Sequence, residues 1–130
     1  MDNCPKPSVV LFACDVARVS VFYRELAAMQ VAFADDDHVV LSVAGFELVV
    51  HRLFGEPEPS QDTSGVVTAR EDSYSKLCLP VSDLEEARTT AARLGGSIKP
   101  QSFEWSARGF RACDGHDPEG NIIQVRQAQS

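Results

Sequence analysis

Positive charge is scarce in this chain. Its 130 residues carry 12 Lys and Arg against 19 Asp and Glu, a formal net charge of −7. Such a balance repels phosphate backbones and anionic lipid, so neither nucleic acid nor a membrane is expected as a partner. Long apolar runs are missing too, and none approaches the ~20 residues that a spanning helix needs. Met1 to Pro7 is acidic or Pro-rich and lacks the apolar stretch of a secretory signal. Four cysteines, Cys4, Cys14, Cys78 and Cys113, are scattered without C-x-x-C spacing. Reduced thiols in a cytoplasmic protein are the expectation, rather than a disulfide framework or a thiolate metal site. A glycine-rich phosphate loop and a Ser-His-acid motif are both lacking.

What is there reads as one globular domain over residues 1–130. Hydrophobic residues make up 44% and charged residues 24%, enough apolar surface for a core at this length. Ser8 to Ala13 is a β-favouring run after a Pro-bounded start. Asp15 caps a helix from about Val16 to Ala28, with Val16, Val19, Phe22, Tyr23 and Leu26 at helical spacing. Strands follow at 30–34, 38–43 and 46–53, separated by the acidic turn Asp35-Asp36-Asp37 and the hairpin turn Ala44-Gly45. Residues 55–73, with Gly55, Pro57, Pro59 and Gly65, form a long connector in which Val66 and Val67 suit a short strand. The pattern then repeats: a strand over 74–81, a cap at Asp83, a helical face of Leu84, Ala87, Ala91 and Leu94, and a glycine stop at Gly95-Gly96. Strands over 97–99, 104–113 and 121–127 complete it. An offset of 68 residues superimposes Asp15 on Asp83, Leu11 on Leu79 and Leu26 on Leu94, which points to two βαβββ modules.

Between the last two strands stands Asp117-Pro118-Glu119-Gly120-Asn121. Pro118 pre-sets one turn angle, Gly120 and Asn121 tolerate left-handed backbone, and Asp117 can accept from the amides beyond it.

That D-P-E-G-N turn, followed by Ile122-Ile123-Gln124, resembles the last strand of the vicinal oxygen chelate superfamily. Glyoxalase I, extradiol dioxygenases, fosfomycin-resistance enzymes and bleomycin-binding proteins belong to that group. Asp15 to Met29 is similar to its first helix, D-x-x-x-S-x-x-F-Y-x-x-x-L-G, with Val19 at the serine and Ala27 at the glycine. The resemblance covers residues 7–127. It implies an α+β fold, the glyoxalase/bleomycin resistance/dihydroxybiphenyl dioxygenase fold. Two tandem modules, about 7–54 and 74–127, would curl a mixed sheet around one cavity, usually in a homodimer.

Strand alternation then assigns faces. Val9, Leu11 and Ala13 pack on the helix, while Ser8, Val10 and Phe12 face the cavity. Glu47, Val49 and His51 share one face, as do Lys76 and Cys78, and Ile122 and Gln124. With Trp105, these eleven residues are the expected ligand-binding cavity.

In the metal-using members each module contributes ligands, mostly His and Glu. The resemblance carries those positions to Ser8, Glu47, Lys76 and Gln124. Only Glu47 is an ordinary ligand, and an ammonium at Lys76 repels a cation, so no metal and no other cofactor is expected. Lys76 is expected instead to fill the metal's place and neutralise Glu47. His51 stands about 13 Å of strand rise from Glu47, too far to share an ion with it. His38 reads as a solvated strand start, His116 as a surface turn residue, and Cys78 as an inert small hydrophobe.

Three functions are compatible with these residues. The first is a metal-free binder of a small organic ligand, with Val10, Phe12, Val49, Trp105 and Ile122 as walls and Glu47, Lys76 and Gln124 as polar contacts. The second is a metal-dependent lyase, isomerase or dioxygenase. The third is a metal-free enzyme using Glu47 or Lys76 for acid–base chemistry. The ligand set favours the first.

Overall fold

The computed structural model describes residues 4–55 and 67–129. β1 (Ser8–Ala13), α1 (Val16–Leu26), β2 (Gln30–Ala34), β3 (His38–Val43) and β4 (Phe46–Arg52) form the first module. β5 (Leu77–Pro80), α2 (Leu84–Arg93), β6 (Ser97–Ile98), a 3-10 turn at Gln101–Phe103, β7 (Trp105–Ala107), β8 (Phe110–His116) and β9 (Ile122–Ala128) form the second. Each module is an open mixed sheet, ordered β1-β4-β3-β2 in one and β5-β9-β8-β6 in the other, with β7 pairing β8. β1 runs parallel to β4, and β5 parallel to β9, while the other pairs are antiparallel.

The repeat shows in the caps. Asp15 accepts from the Arg18 amide and Asp83 from the Glu86 amide, each through its carboxylate. Each helix covers one face of its own sheet. Val19, Phe22, Tyr23 and Leu26 pack on Leu41, Leu48 and Val50, and Leu84, Ala87 and Ala91 lie with Leu79, Ile98 and Val125 in the same continuous core. The opposite face of each sheet is left open.

Several local expectations are corrected. α1 ends at Leu26, and the left-handed residue after it is Ala28 (φ 51°), so Ala28 rather than Ala27 stands at the glycine of the resembling helices. β5 begins at Leu77, so Lys76 precedes the strand. The run 104–113 is two strands, broken by a hairpin turn in which Arg108 and Gly109 both take positive φ. Ala44 and Gly45 do the same in the first module, the signature of a two-residue primed turn. β8 continues through Gly115 and His116, which the sequence places in the turn. Of Val66 and Val67, Val67 makes an isolated bridge and Val66 lies outside the described residues.

The turn after β8 is not a surface hairpin. Asp117 is fully buried and Glu119 nearly so. Asp117 accepts from the amides of Glu119 and Asn121 (2.9 and 3.0 Å) and from the Asn121 side chain (2.9 Å). It also accepts the Tyr23 hydroxyl from α1 at 2.7 Å. Glu119 reaches the other end of the same module, accepting the Cys14 and Asp15 amides at 2.9 and 2.8 Å. Two carboxylates of module two thus bond module one, Asp117 on the inner face of α1 and Glu119 at the joint between β1 and α1. Buried anions require such partners, because an unpaired one costs several kcal/mol.

Burial, followed by the charge and hydrogen bond of Asp117, pushes the Tyr23 phenol well above its ordinary value. A raised folded-state value means that the protonated phenol stabilises the fold. That contribution is complete below pH ~10, the unfolded value, and is lost as pH rises beyond it. Tyr23→Phe should therefore reduce the loss of stability above pH ~10 in urea unfolding, while costing about 1–3 kcal/mol at neutral pH. Glu119→Ala strands two amides and should cost about 2–4 kcal/mol in the same measurement. An effect below ~0.5 kcal/mol would show that the turn does not join the modules.

Candidate functional site

The open face of the first sheet is set by strand register. Ser8 pairs with Glu47, Val10 with Val49 and Phe12 with His51 across β1 and β4. Across β3 and β4, Ser42 faces Glu47, Val40 faces Val49 and His38 faces His51. The face therefore grades from polar at the Ser8 end to aromatic at the Phe12 end. The Phe12 and His51 rings meet edge-on at 5.7 Å, and His51 stacks on His38 at 5.5 Å. Val10 and Phe12 are each about half exposed, at 51% and 55%. Phe33 on β2, exposed to the same degree, closes the row against His38.

The second open face carries a connected polar network. Lys76 donates to Asp114 at 2.8 Å, and Gln124 donates its amide to the other Asp114 oxygen at 3.0 Å. The Gln124 carbonyl accepts from Arg126 Nε at 2.7 Å, and Arg126 Nη2 lies 3.4 Å from the Cys78 sulfur. Arg126 also covers the Phe110 ring at 4.5 Å, and Trp105 meets that ring edge-on at 5.9 Å. Asp114, Gln124 and Cys78 stand in one row across β8, β9 and β5, so register alone brings the network together. Partial burial raises the Asp114 carboxyl, but bonds from Lys76 and Gln124 and the charges of Lys76 and Lys99 outweigh it. The group ends below its ordinary value.

The expected pairing of Lys76 with Glu47 is not made. Lys76, just before β5, and Asp114, on β8, both belong to the second module, whereas Glu47 lies on the first sheet. Asp114 was missed because the sequence reads 104–113 as one strand and leaves residue 114 in the turn.

A cleft of about 230 Å³ runs between the β1 and β5 edges. Of the eleven expected cavity residues, Val10, Lys76, Cys78 and Ile122 line it. Val9 and Leu11 line it too, although alternation assigns them to the helix side. Tyr23 reaches it from α1 and Asn121 from the turn, which ties the cleft to the joint between modules. Ser8, Phe12, Glu47, Val49 and His51 lie away from it on the first open face. Gln124 and Trp105 lie on the second. Among the described residues no hydrogen bond or ion pair links Ser8 or Glu47 to Lys76 or Gln124.

The four carried-over positions do not fit a divalent metal. Lys76 brings a cation already paired with a carboxylate, and both ends of the Gln124 amide are engaged, its oxygen by a guanidinium. Ser8 and Glu47 remain, one of them a weak ligand. Among the described residues no group of three or more His, Cys, Asp or Glu converges on one point. Among the described residues no helix is long and apolar enough to cross a membrane.

Solved structures share this architecture over nearly the whole chain. The fosfomycin resistance protein FosX from Mesorhizobium loti is 11% identical, with 99% of this chain and 95% of that one covered at a TM-score of 0.64. A glyoxalase/bleomycin resistance protein/dioxygenase family enzyme from Burkholderia phytofirmans PsJN is 13% identical over 93% and 96%, at 0.65. The integron cassette protein VCH_CASS1 from V. cholerae is 20% identical over 98% and 97%, at 0.62. No family model matches the sequence, and no curated protein matches it significantly. The fold is therefore that of the vicinal oxygen chelate proteins, established by shape at identities too low to carry an activity.

The network makes a quantitative demand. In a double-mutant cycle, Lys76→Met and Asp114→Asn should couple by about 0.5–1 kcal/mol, a half-exposed ion pair's usual range. Lys76→Met and Glu47→Gln should be additive. The Lys76–Asp114 coupling should also fade below pH ~4, where a carboxylate with a lowered value takes up its proton. Coupling of Lys76 to Glu47 instead would contradict the geometry.

Proposed function

We propose that this protein binds a small organic ligand against the open faces of its sheets, without a metal at the position the resembling enzymes use. The observation that carries this reading is the Lys76–Asp114–Gln124–Arg126 network. It puts a neutralised, hydrogen-bonded lining where metal ligands would otherwise be needed. The first sheet supplies apolar and aromatic wall in Val10, Val49, Phe12 and His51. The second supplies orienting polar groups, with Cys78, Ile122 and Trp105 beside them. A few fixed polar groups on an apolar surface are what a small-molecule site requires. Structural neighbours include a fosfomycin resistance protein and a glyoxalase/bleomycin resistance protein, both named for small organic molecules. Lys76 is held as an ion pair, which disfavours it as a general base.

The protein acts in the cytoplasm as a homodimer in this reading. Val10, Phe12 and Phe33 together leave an apolar patch on the first open face. A second copy that covers part of it would turn an open face into an enclosed site.

Two measurements check this. Elemental analysis of the purified protein should find no stoichiometric divalent metal that depends on Glu47, and a metal lost in Glu47→Ala would overturn the reading. Light scattering should give twice the chain's 14.2 kDa. A monomer at micromolar concentration would remove the dimer from the account.

A further inference from the structure

His38 and His51 are neighbours that play no part in the network above. They are Cα partners across β3 and β4. The two-residue turn at Ala44-Gly45 makes Val43 and Phe46 a hydrogen-bonded pair, and pairs then alternate down the hairpin. Counting from it, His38 and His51 form a non-hydrogen-bonded pair, the type whose side chains stand closest. Beyond them the Arg52 amide bonds the Asp37 carbonyl at 2.8 Å, as that alternation requires.

The tautomers follow from the partners. His38 Nδ1 lies 2.9 Å from an Asp35 carboxylate oxygen, and His51 Nδ1 lies 2.9 Å from the Arg52 carbonyl. Both partners can only accept, so each Nδ1 carries the proton and each Nε2 keeps its lone pair. Among the described residues neither Nε2 has a hydrogen-bond partner. A carboxylate or carbonyl on Nδ1 is the outer support that metal-ligating histidines characteristically have. The rings are already stacked, 23° from parallel with centroids 5.5 Å apart.

We infer that His38 and His51 form a two-point chelate for a divalent transition metal, with Asp35 and the Arg52 carbonyl as its supports. Two nitrogens bound at about 2.0–2.1 Å to one tetrahedral ion stand about 3.3 Å apart. Bringing both Nε2 atoms onto one ion takes rotation of the two rings about their side-chain torsions. Imidazole donors favour copper, nickel and zinc over magnesium and calcium. Two ligands leave coordination positions open toward the ligand face, flanked by Phe12 and Phe33. The site is distinct from the position carried over by resemblance, since Glu47 lies four residues along β4.

The test is a calorimetric titration of untagged protein with nickel chloride. One ion per chain should bind, at least about tenfold more weakly in His38→Gln and in His51→Gln, and unchanged in Glu47→Gln. Absence of saturable binding, binding retained in either histidine variant, or loss in Glu47→Gln would overturn the inference. Unsubstituted protein gives an independent readout. Substoichiometric nickel should broaden the imidazole NMR signals of His38 and His51 and spare those of His116. Broadening that omits His38 and His51 would equally overturn it. A nickel site that fails leaves metal-free ligand binding standing, because that reading uses His51 and Phe12 as apolar wall and not as metal ligands.

Discussion

Two buried carboxylates tie the halves of this molecule to each other. Each βαβββ module buries one face of its sheet under its own helix, and both halves share one continuous apolar core. Asp117 and Glu119 add directional bonds to that packing. They leave the second module at a turn and end on the Tyr23 hydroxyl and the Cys14 and Asp15 amides of the first. Tyr23, Asp117 and Glu119 are all buried, so each half satisfies a need of the other. Gly120 fits there for a further reason: its φ is 87°, and a Cβ would come within 2.4 Å of the Thr68 carbonyl oxygen. The last part of the connector is thus pressed onto the same turn, and the Arg70 amide bonds the Gly120 carbonyl at 2.7 Å.

With the joint built this way, the two open faces are free to differ. The first is apolar and aromatic, with Glu47 as its carboxylate. The second is a chain of charge-assisted bonds whose members neutralise one another, so its polar groups are fixed in direction rather than free to collect a cation. Charged groups at partial exposure add little stability. Their value here is orientation, which is what a binding site asks of them.

Most strands and both helices were legible in the sequence because apolar alternation and Asp caps are local signals. Val9 to Ala13, His38 to Val43 and the 68-residue repeat all fall in this class. The β7–β8 hairpin was misread because Ser106 to Cys113 is β-compatible throughout, and Gly109 alone marks the turn. That error hid Asp114 and so the true partner of Lys76. The partners of Tyr23 and Glu119 could not be read from sequence, since a residue separation near 100 leaves no pattern to count. The His38–His51 pair was within reach: a two-residue turn at 44–45 forces every pair across it to sum to 89, as these two do. Single histidines read as surface residues until the register sets them side by side.

Ligand binding without the usual metal is tested most directly by NMR. Isotope-labelled protein would be titrated with a small-molecule library in the presence of a strong chelator. The account predicts saturable binders that shift the Val10, Lys76, Cys78 and Ile122 signals together. Binding that requires added divalent metal and disappears in Glu47→Gln, or shifts confined to the helix faces, would contradict it.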